Sequence, residues 1–279
     1  MNLETIIDAI AAQAENSNPE RKEHIGEDGL LYCDVCNEPT QARIHIFGSE
    51  RIVRCTCRCE QDQIKAEEEA RNEERRKMRI ERLRVTGFDR AEMGMWTFEH
   101  DDAQNPKVIQ IAKSYCENFQ ELKNTGKGLL FYGDVGTGKT YAAACIANEL
   151  INQGVPVLMT NFSIIINRLQ GSFEGRQEYL DTLNSYDLLI IDDLAAERNT
   201  EFVNEAVYTV IDNRYRSGLP LIITSNISPK QMMAETNISR RRIYSRVTEL
   251  CHPVEVEGND RRIDKAFDSF ADMKRLLGL

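Results

Sequence analysis

A short glycine-rich segment near the middle of the chain has the residue types and the spacing of a phosphate-binding loop. It has the form G-x-x-x-x-G-K-T and consists of Gly133, Asp134, Val135, Gly136, Thr137, Gly138, Lys139 and Thr140. Glycines let the backbone curl so that successive N–H groups face phosphate oxygens, and the helix that should follow adds the positive end of its dipole. In such a loop the lysine reaches the β- and γ-phosphates, and the threonine hydroxyl coordinates Mg²⁺. The segment therefore predicts a site for a nucleoside triphosphate with Mg²⁺.

Two apolar segments that should form buried strands each end in polar side chains. The first, residues 188–191, is followed by Asp192 and Asp193, and the second, residues 221–225, is followed by Asn226. Because buried parallel strands deliver their last residues to the sheet edge where ligands bind, these side chains should face the phosphate loop. We expect Asp192 to hold Mg²⁺, Asp193 to orient or deprotonate the attacking water, and Asn226 to hydrogen-bond that water or the γ-phosphate. Taken alone, the same side chains would also suit turns or helix caps.

A basic cluster lies in a predicted helix before the last strand candidate, and it contains Arg240, Arg241, Arg242 and Arg246. A hydrolysis site is often completed by an arginine from a neighbouring subunit, which neutralises charge in the transition state. We assign this role to Arg246, with Arg242 as the alternative. Arg240 and Arg241 would contact the phosphates of single-stranded nucleic acid. A basic helix face exposed to solvent would explain the same residues without any function.

Two further pairs of residues are candidates for contact with the nucleotide. Arg261 and Arg262 follow the last strand candidate, and one of them would reach the γ-phosphate within its own chain. Arg262 is the preferred candidate. Trp96 and Phe98 precede the first helix of the same region and would either pack near the base or anchor the preceding linker to the core.

Five of the eight cysteines are concentrated in one short segment, at Cys33, Cys36, Cys55, Cys57 and Cys59. A C-x-x-C pair and a C-x-C-x-C triplet flank residues 43–54, which should form a β-hairpin, as in a zinc ribbon. Four thiolates complete a tetrahedral Zn²⁺ site, so one of the five is in excess, and the spacing alone does not identify it. A segment this short lacks a core of its own, and bound Zn²⁺ would supply its folding energy. The other three cysteines should be small buried side chains.

The elements that would position these residues alternate between short apolar strands and helices. Strands are predicted at 129–132, 156–160, 188–192, 221–225 and 254–256, with helices at 106–124, 139–153, 163–170, 200–217 and 239–249. This alternation predicts an α/β fold in which helices cover both faces of a five-stranded parallel sheet. Acids followed by bases four positions later predict an exposed charged helix at 60–84, and a short helix is expected at 5–13.

Composition limits the architecture and the partners. The 279 residues suggest about two domains, and we divide them into a zinc-binding module at 1–60, a charged helical linker at 61–94 and a nucleotide-binding domain at 95–279. No apolar run approaches the ~18–20 residues of a membrane helix, and the acidic N-terminus differs from a signal peptide, so we expect a cytoplasmic protein without membrane contact. A formal net charge of −10 disfavours non-specific duplex binding, so nucleic-acid contact requires a local basic patch.

The motifs resemble those of the helicase-loader branch of the AAA+ ATPases, the DnaC/DnaI-like replication proteins, and of the related IstB ATPases of transposons. The resemblance covers residues 95–262. It rests on the Trp-Thr-Phe segment at Trp96, the phosphate loop with its strand, the Leu-Ile-Ile-Asp-Asp-Leu segment at Asp192, the Thr-Ser-Asn segment at Asn226, and the neighbourhoods of Arg246 and Arg262. The Asp-Asp pair is typical of this branch. Nucleoside kinases differ from these ATPases in strand order. They usually place the acidic strand directly next to the phosphate-loop strand, with no strand inserted between the two.

The resemblance implies an AAA+ ATPase domain that assembles with ATP on the hexameric replicative DNA helicase, contacts single-stranded DNA and controls helicase loading and release. It assigns helicase binding to the N-terminal domain. It also implies that Cys33, Cys36, Cys57 and Cys59 are the zinc ligands, since some relatives keep a C-x-C followed by an acid. Three alternatives stay open: an IstB-like regulator of transposition, a P-loop nucleotide kinase, and a zinc adaptor that binds ATP without hydrolysing it.

Overall fold

The structure is a computed structural model that describes residues 22–46, 48–171, 175–197, 200–261 and 273–278. The chain divides into two compact units, Met1–Arg76 and Lys77–Leu279. The helix predicted at 5–13 lies outside the described residues. None of the described helices combines the length and the apolar character that a membrane span requires.

The described part of the first unit contains two small antiparallel hairpins. β1 (Glu23–Ile25) pairs with β2 (Leu31–Cys33), and β3 (Gln41–Ile46) pairs with β4 (Ser49–Arg54). Gly48 has a φ of 80°, the left-handed conformation that glycine adopts most readily in a tight hairpin turn. The hairpin predicted within residues 43–54 is therefore confirmed. The first hairpin was not predicted, because strands of three residues are too short to show an alternating pattern.

Helix α1 (Arg58–Thr86) is 29 residues long, and none of its residues is buried. The division between the two units falls after Arg76, inside this helix. Ile80 and Leu83, in its last turns, belong to the second unit and pack against the apolar core of that unit. The charged helix predicted at 60–84 is confirmed, and it extends two residues further at each end.

The second unit is built on a five-stranded parallel sheet. Its strands are β5 (Gly128–Tyr132), β6 (Val157–Asn161), β7 (Leu188–Leu194), β8 (Leu221–Ser225) and β9 (Cys251–Glu255). Their spatial order is β6-β7-β8-β5-β9, so β8 is inserted between the phosphate-loop strand and the acidic strand. The predicted α/β class and the five-stranded sheet are confirmed.

Helices cover both faces of this sheet, because each face carries its own apolar cluster. One face is covered by α2 (Pro106–Glu117), α3 (Phe119–Thr125) and α4 (Lys139–Asn152), and the other by α5 (Phe162–Gly171), α6 (Arg176–Asn184), α7 (Glu201–Ser217), α8 (Pro229–Met233) and α9 (Ile238–Leu250). Cys116, Cys145 and Cys251 are buried in these two clusters or beside them, as predicted.

Most predicted elements differ from the structure by only one or two residues at their ends, but two elements differ more and two helices were not predicted. The helix predicted at 106–124 is interrupted at Asn118, whose φ of −103° and ψ of 17° leave the helical conformation. The last strand, predicted at 254–256, is residues 251–255; Pro253 obscures the pattern there and is tolerated because β9 is an edge strand. Helices α6 and α8 were not predicted, since both are short and bury few side chains.

Candidate nucleotide-binding and metal-binding sites

The phosphate loop connects β5 to α4 and adopts a backbone that favours glycine. Gly133, Gly136 and Gly138 have φ values of 143°, 79° and 102°. Space is restricted as well, because a Cβ atom at Gly133 would lie 2.4 Å from the carbonyl oxygen of Val256. Gly138 is the N-cap of α4 and offers no side-chain acceptor to the first N–H groups of the helix. These N–H groups and the helix dipole fit a bound phosphate.

Lys139 is buried at the start of α4, and its ammonium group spans the loop. Its Nζ atom donates hydrogen bonds to the carbonyl oxygens of Gly133, at 2.9 Å, and Asp134, at 2.6 Å. Thr137 Oγ1 donates to the same Asp134 carbonyl at 2.9 Å. The loop therefore holds a positive charge among its own backbone groups, where the β- and γ-phosphates of a nucleotide would be bound.

A hydrogen-bonded cluster joins the start of α4 to the ends of β7 and β8. Asp192 Oδ1 accepts hydrogen bonds from Thr140 Oγ1, at 2.8 Å, and from Thr224 Oγ1, at 2.6 Å. Burial raises the pKa of the Asp192 carboxyl above its usual range, and the Thr224 hydrogen bond opposes this effect. A carboxylate beside a threonine hydroxyl is an oxygen donor set of the kind that Mg²⁺ prefers. Thr140 and Asp192 thus fit the predicted Mg²⁺ site.

Asp193 lies at a break in the ladder between β7 and β8. The register shifts between Ile191 and Leu194, and Asp193 has a φ of 56°, which is uncommon for a residue other than glycine. Its N–H group donates to Thr224 Oγ1 at 2.8 Å. The Asp193 side chain is exposed and lines the same cavity as Asn226.

That cavity has a volume of about 510 Å³, within the range typical of sites for nucleotide-sized ligands. The residues of the phosphate loop and of the strand ends that line it are Val135, Gly136, Gly138, Lys139, Thr140, Asp193 and Asn226. The predicted loop residues and the acids at the end of β7 therefore meet at the carboxyl edge of the sheet, as the motifs indicated.

Aromatic side chains also line the cavity. Trp96, His100 and Tyr141 line it, and the Trp96 and Tyr141 ring centroids are 6.0 Å apart. Tyr141 donates its hydroxyl to the Thr97 carbonyl oxygen at 2.7 Å, which fixes this segment against α4. Both Trp96 and Phe98 pack against the apolar core, which agrees with the anchoring role. Trp96 also lines the cavity, so a contact with the base stays a prediction for this residue.

Arg261, rather than the preferred Arg262, is the described arginine at the cavity. Its backbone N–H donates to the Gly136 carbonyl at 3.2 Å, and its guanidinium would lie 3.0 Å from a Cβ atom at Gly138. Its Nη1 atom is 3.0 Å from Asp102 Oδ1. Arg262 lies outside the described residues.

The arginines of α9 pack on tyrosines of α7. Arg246 lies 4.0 Å from the Tyr215 ring centroid and 3.4 Å from Asp212 Oδ1, and Arg242 lies 4.4 Å from the Tyr208 ring centroid. Both candidates for the intersubunit role are therefore held by contacts within their own chain. Arg240 and Arg241 lie in the first turn of the same helix, and Arg241 is exposed.

The structure brings three of the five clustered cysteines together, and a fourth, Cys59, is hydrogen-bonded to Cys36. The sulfur atoms of Cys33, Cys36 and Cys57 lie within 4.8 Å of one another. A backbone hydrogen bond from Glu38 lowers the pKa of Cys36 to about 7, and a hydrogen bond with Cys36 raises the pKa of Cys59 to about 11. Cys33, Cys36 and Cys57 therefore form a group of three thiols, and Cys59, the fourth ligand that the resemblance implies, is hydrogen-bonded to one of them. Four such thiols fit a tetrahedral Zn²⁺ ion.

Cys55 is the exception among the clustered thiols. Its Sγ atom donates to the Pro39 carbonyl oxygen at 3.3 Å. Burial raises the pKa of this thiol, and no other cysteine contributes to that shift. Its contacts thus differ from those of Cys36, Cys57 and Cys59, each of which has a pKa shifted by neighbouring cysteines.

Four residues of the nucleotide site were missed in the sequence, namely Thr224, Tyr141, His100 and Asp102. Thr224 is part of the Thr-Ser-Asn segment, but a threonine inside a buried strand has the appearance of an ordinary strand former. Tyr141 directly follows the phosphate loop, and its position two residues after a motif lysine was the available signal.

Residues 58–269, most of the chain, match the protein family described as IstB-like ATP binding protein. The chain belongs to the IstB-like ATP-binding family. It is also similar to the replicative helicase loader DnaI of Bacillus subtilis (strain 168), with 28% identity over 180 residues, 60% of this chain and 58% of that protein. Similarity to the replicative helicase loader DnaC of Escherichia coli (strain K12) is 26% over 144 residues, 50% of this chain and 56% of that protein.

A crystal structure of DnaI superposes with a TM-score of 0.55 and 26% identity, covering 64% of this chain and 99% of that one. The expected AAA+ P-loop fold is confirmed. The chain spans a little over half the length of the curated relatives it matches.

Proposed function

We propose that this protein is an ATP-dependent loader of the replicative DNA helicase. The observation that carries the ATP-dependent part is the Thr140–Asp192–Thr224 cluster, which joins the phosphate loop to the acids beside a cavity of about 510 Å³. The helicase-loading part is supported by the similarity to DnaI and DnaC, both named replicative helicase loaders.

Hydrolysis in this site would use the chain's own groups in distinct roles. The loop N–H groups and Lys139 bind the β- and γ-phosphates. Thr140 and Asp192 would hold Mg²⁺, which supplies charge neutralisation at the phosphates. The Asp193 carboxylate orients a water molecule and takes its proton as the water oxygen bonds to the γ-phosphorus and the bond to the ADP oxygen breaks. Asn226 hydrogen-bonds the same water or the γ-phosphate.

Assembly and DNA binding are assigned to α9 and its surroundings. Arg246 would enter the site of a neighbouring copy during ATP-dependent self-assembly; the Asp212 and Tyr215 contacts give its guanidinium a fixed position. Arg240 and Arg241 would contact single-stranded DNA through its phosphates. We assign helicase binding to the zinc-containing residues 1–60, a spacer role to 61–94 and ATP-dependent assembly to 95–279.

The test combines helicase capture with ATP turnover by the full chain. We expect the purified protein to form a complex with the hexameric replicative helicase from the same genome when ATP is present, and to hydrolyse ATP faster with single-stranded DNA. Lys139→Ala should abolish ATP binding, whereas Asp193→Asn should bind ATP and fail to hydrolyse it. No helicase complex at low salt with ATP would contradict the loader function.

A second candidate function is the regulation of transposition, and the IstB-like family match favours it. Such a protein would prefer duplex DNA and form filaments on it with ATP. Filter-binding assays with duplex and single-stranded DNA measure the preference for DNA, and electron microscopy shows whether filaments form. Together they distinguish the two functions. A nucleotide kinase is disfavoured because β8 separates β5 from β7. Equal, negligible hydrolysis by the wild type and Asp193→Asn would instead indicate a zinc adaptor that only binds ATP.

A further inference from the structure

Thr224 is fully buried in β8, yet its hydroxyl lies between the two acids at the end of β7. Its Oγ1 atom donates to Asp192 Oδ1 at 2.6 Å and accepts the Asp193 N–H at 2.8 Å. A hydroxyl has one donor hydrogen and two acceptor lone pairs, so this single group can bond the Asp192 carboxylate and the Asp193 backbone N–H at the same time.

The ladder between β7 and β8 explains why a side chain is needed there. Ile191 pairs with Ile223, and pairing resumes at Leu194 with Ser225, so β7 contains one residue more than β8 over this stretch. This is a β-bulge, a feature that often redirects a side chain beside an active site. Asp193 adopts its φ of 56° within the bulge, and its N–H is bonded by the Thr224 hydroxyl instead of a ladder carbonyl.

We propose that Thr224 is a positioning residue for ATP hydrolysis, whose hydroxyl holds the bulge and thereby directs the Asp193 carboxylate into the nucleotide cavity. The catalytic consequence rests on the proposed ATPase function. The hydroxyl is the group that matters, because valine would fill the same volume in the strand while leaving the Asp193 N–H without this acceptor.

Thr160 provides a matched control on the same sheet. It is buried in β6 with an exposed fraction of 4%, and its Oγ1 atom has no hydrogen-bond partner among the described residues. Thr160→Val therefore makes the same chemical change in β6, on the other side of β7, without removing a bond to either acid.

The test compares Thr224→Val, Thr224→Ser and Thr160→Val in the full chain by two independent measurements. Amide hydrogen exchange, followed by NMR, reports on the Asp193 N–H without any need for activity. We expect Thr224→Val to accelerate exchange at Asp193 by about tenfold, since a buried hydrogen bond is lost. Steady-state kinetics should show kcat lowered by about 10–100-fold, while affinity for ATP without Mg²⁺ is unchanged. Thr224→Ser should restore both properties, and Thr160→Val should change neither.

Each outcome decides a separate question. Unchanged exchange at Asp193 in Thr224→Val overturns the positioning role, even if the variant melts at a lower temperature. If Thr160→Val accelerates exchange at Asp193 and lowers kcat by the same factors, the cause is a general packing effect, and this result would also overturn the positioning role. A wild-type protein without ATP hydrolysis refutes the proposed ATPase function, whereas the exchange rates still decide whether Thr224 holds the bulge.

Discussion

The cysteine module, defined as residues 22–57, should depend for its fold on a bound metal ion rather than on its apolar core. Its buried side chains are Leu30, Thr40 and Cys57. A fully buried apolar side chain contributes about 1.5–3 kcal/mol, whereas a structural Zn²⁺ site contributes apparent binding of about 10–16 kcal/mol. The metal is therefore several times more important than apolar burial in this module, and its removal should unfold the module.

Cys36→Ser and Cys55→Ser form the discriminating pair of variants. Cys36 Sγ lies within 4.8 Å of the Cys33 and Cys57 sulfur atoms, whereas Cys55 Sγ is bonded to the Pro39 carbonyl. We expect Cys36→Ser to lose the single zinc ion and the folded hairpins together. Cys55→Ser should keep the zinc ion, because Cys55 lies outside the thiol group and a serine hydroxyl can donate to the same Pro39 carbonyl.

Zinc content by mass spectrometry and hydrogen exchange over residues 22–57 measure these outcomes in the full chain. Chelation of the wild type should release about one metal ion and raise exchange in the cysteine module. Exchange over β5 to β9 is the internal control and should stay unchanged, because that sheet has an extensive buried core. Equal zinc loss in the two variants, or a wild type that binds no zinc, would refute the reasoning.

Three predictions concern the nucleotide site. Burial raises the pKa of Asp192, so its ionised form opposes folding. Asp192→Asn should therefore raise the free energy of unfolding at pH 7 by roughly 0.5–2 kcal/mol, although hydrolysis is lost. Chemical denaturation should show this gain in stability shrinking as the pH falls towards 3.8. Arg261→Ala should weaken ATP binding in fluorescence titrations, and an unchanged affinity would move the role to Arg262. Arg246→Ala should bind ATP normally but lose assembly-dependent hydrolysis; full turnover at saturating protein would point to Arg242.

Local motifs explain why much of the site was predictable from the sequence. The phosphate loop is continuous in the chain, so its glycines, Lys139 and Thr140 are adjacent however the rest folds. Asp192 and Asn226 end apolar strands, and the carboxyl ends of parallel strands meet at one edge. The position of β8 between β5 and β7 followed only from the resemblance to AAA+ proteins, because strand order depends on contacts distant in the sequence.

Other parts of the site depend on one-residue differences that a pattern does not contain. Arg261 and Arg262 are identical in type, so the sequence pattern does not show that the Arg261 N–H bonds the Gly136 carbonyl or that Arg261 lines the cavity. The five cysteines are equivalent as thiols, and Cys55 differs only because the chain turns its sulfur towards Pro39. Thr224 acts through a bulge, and a bulge requires the register of two strands.

The insertion of β8 has a chemical consequence for the whole site. β5 and β7 are separated by two strand spacings, roughly 9–10 Å, so their backbones do not touch. The phosphate loop and the acids nevertheless meet, because Thr140 reaches across to the same Asp192 oxygen that Thr224 contacts from β8. The polar end of β8 thus lies between the phosphate loop and the acids of β7. Thr224 and Asn226 lie beside the acids of β7, whereas the phosphate loop follows β5. We therefore expect substitutions at the end of β8 to lower the rate of hydrolysis more than the affinity for the nucleotide.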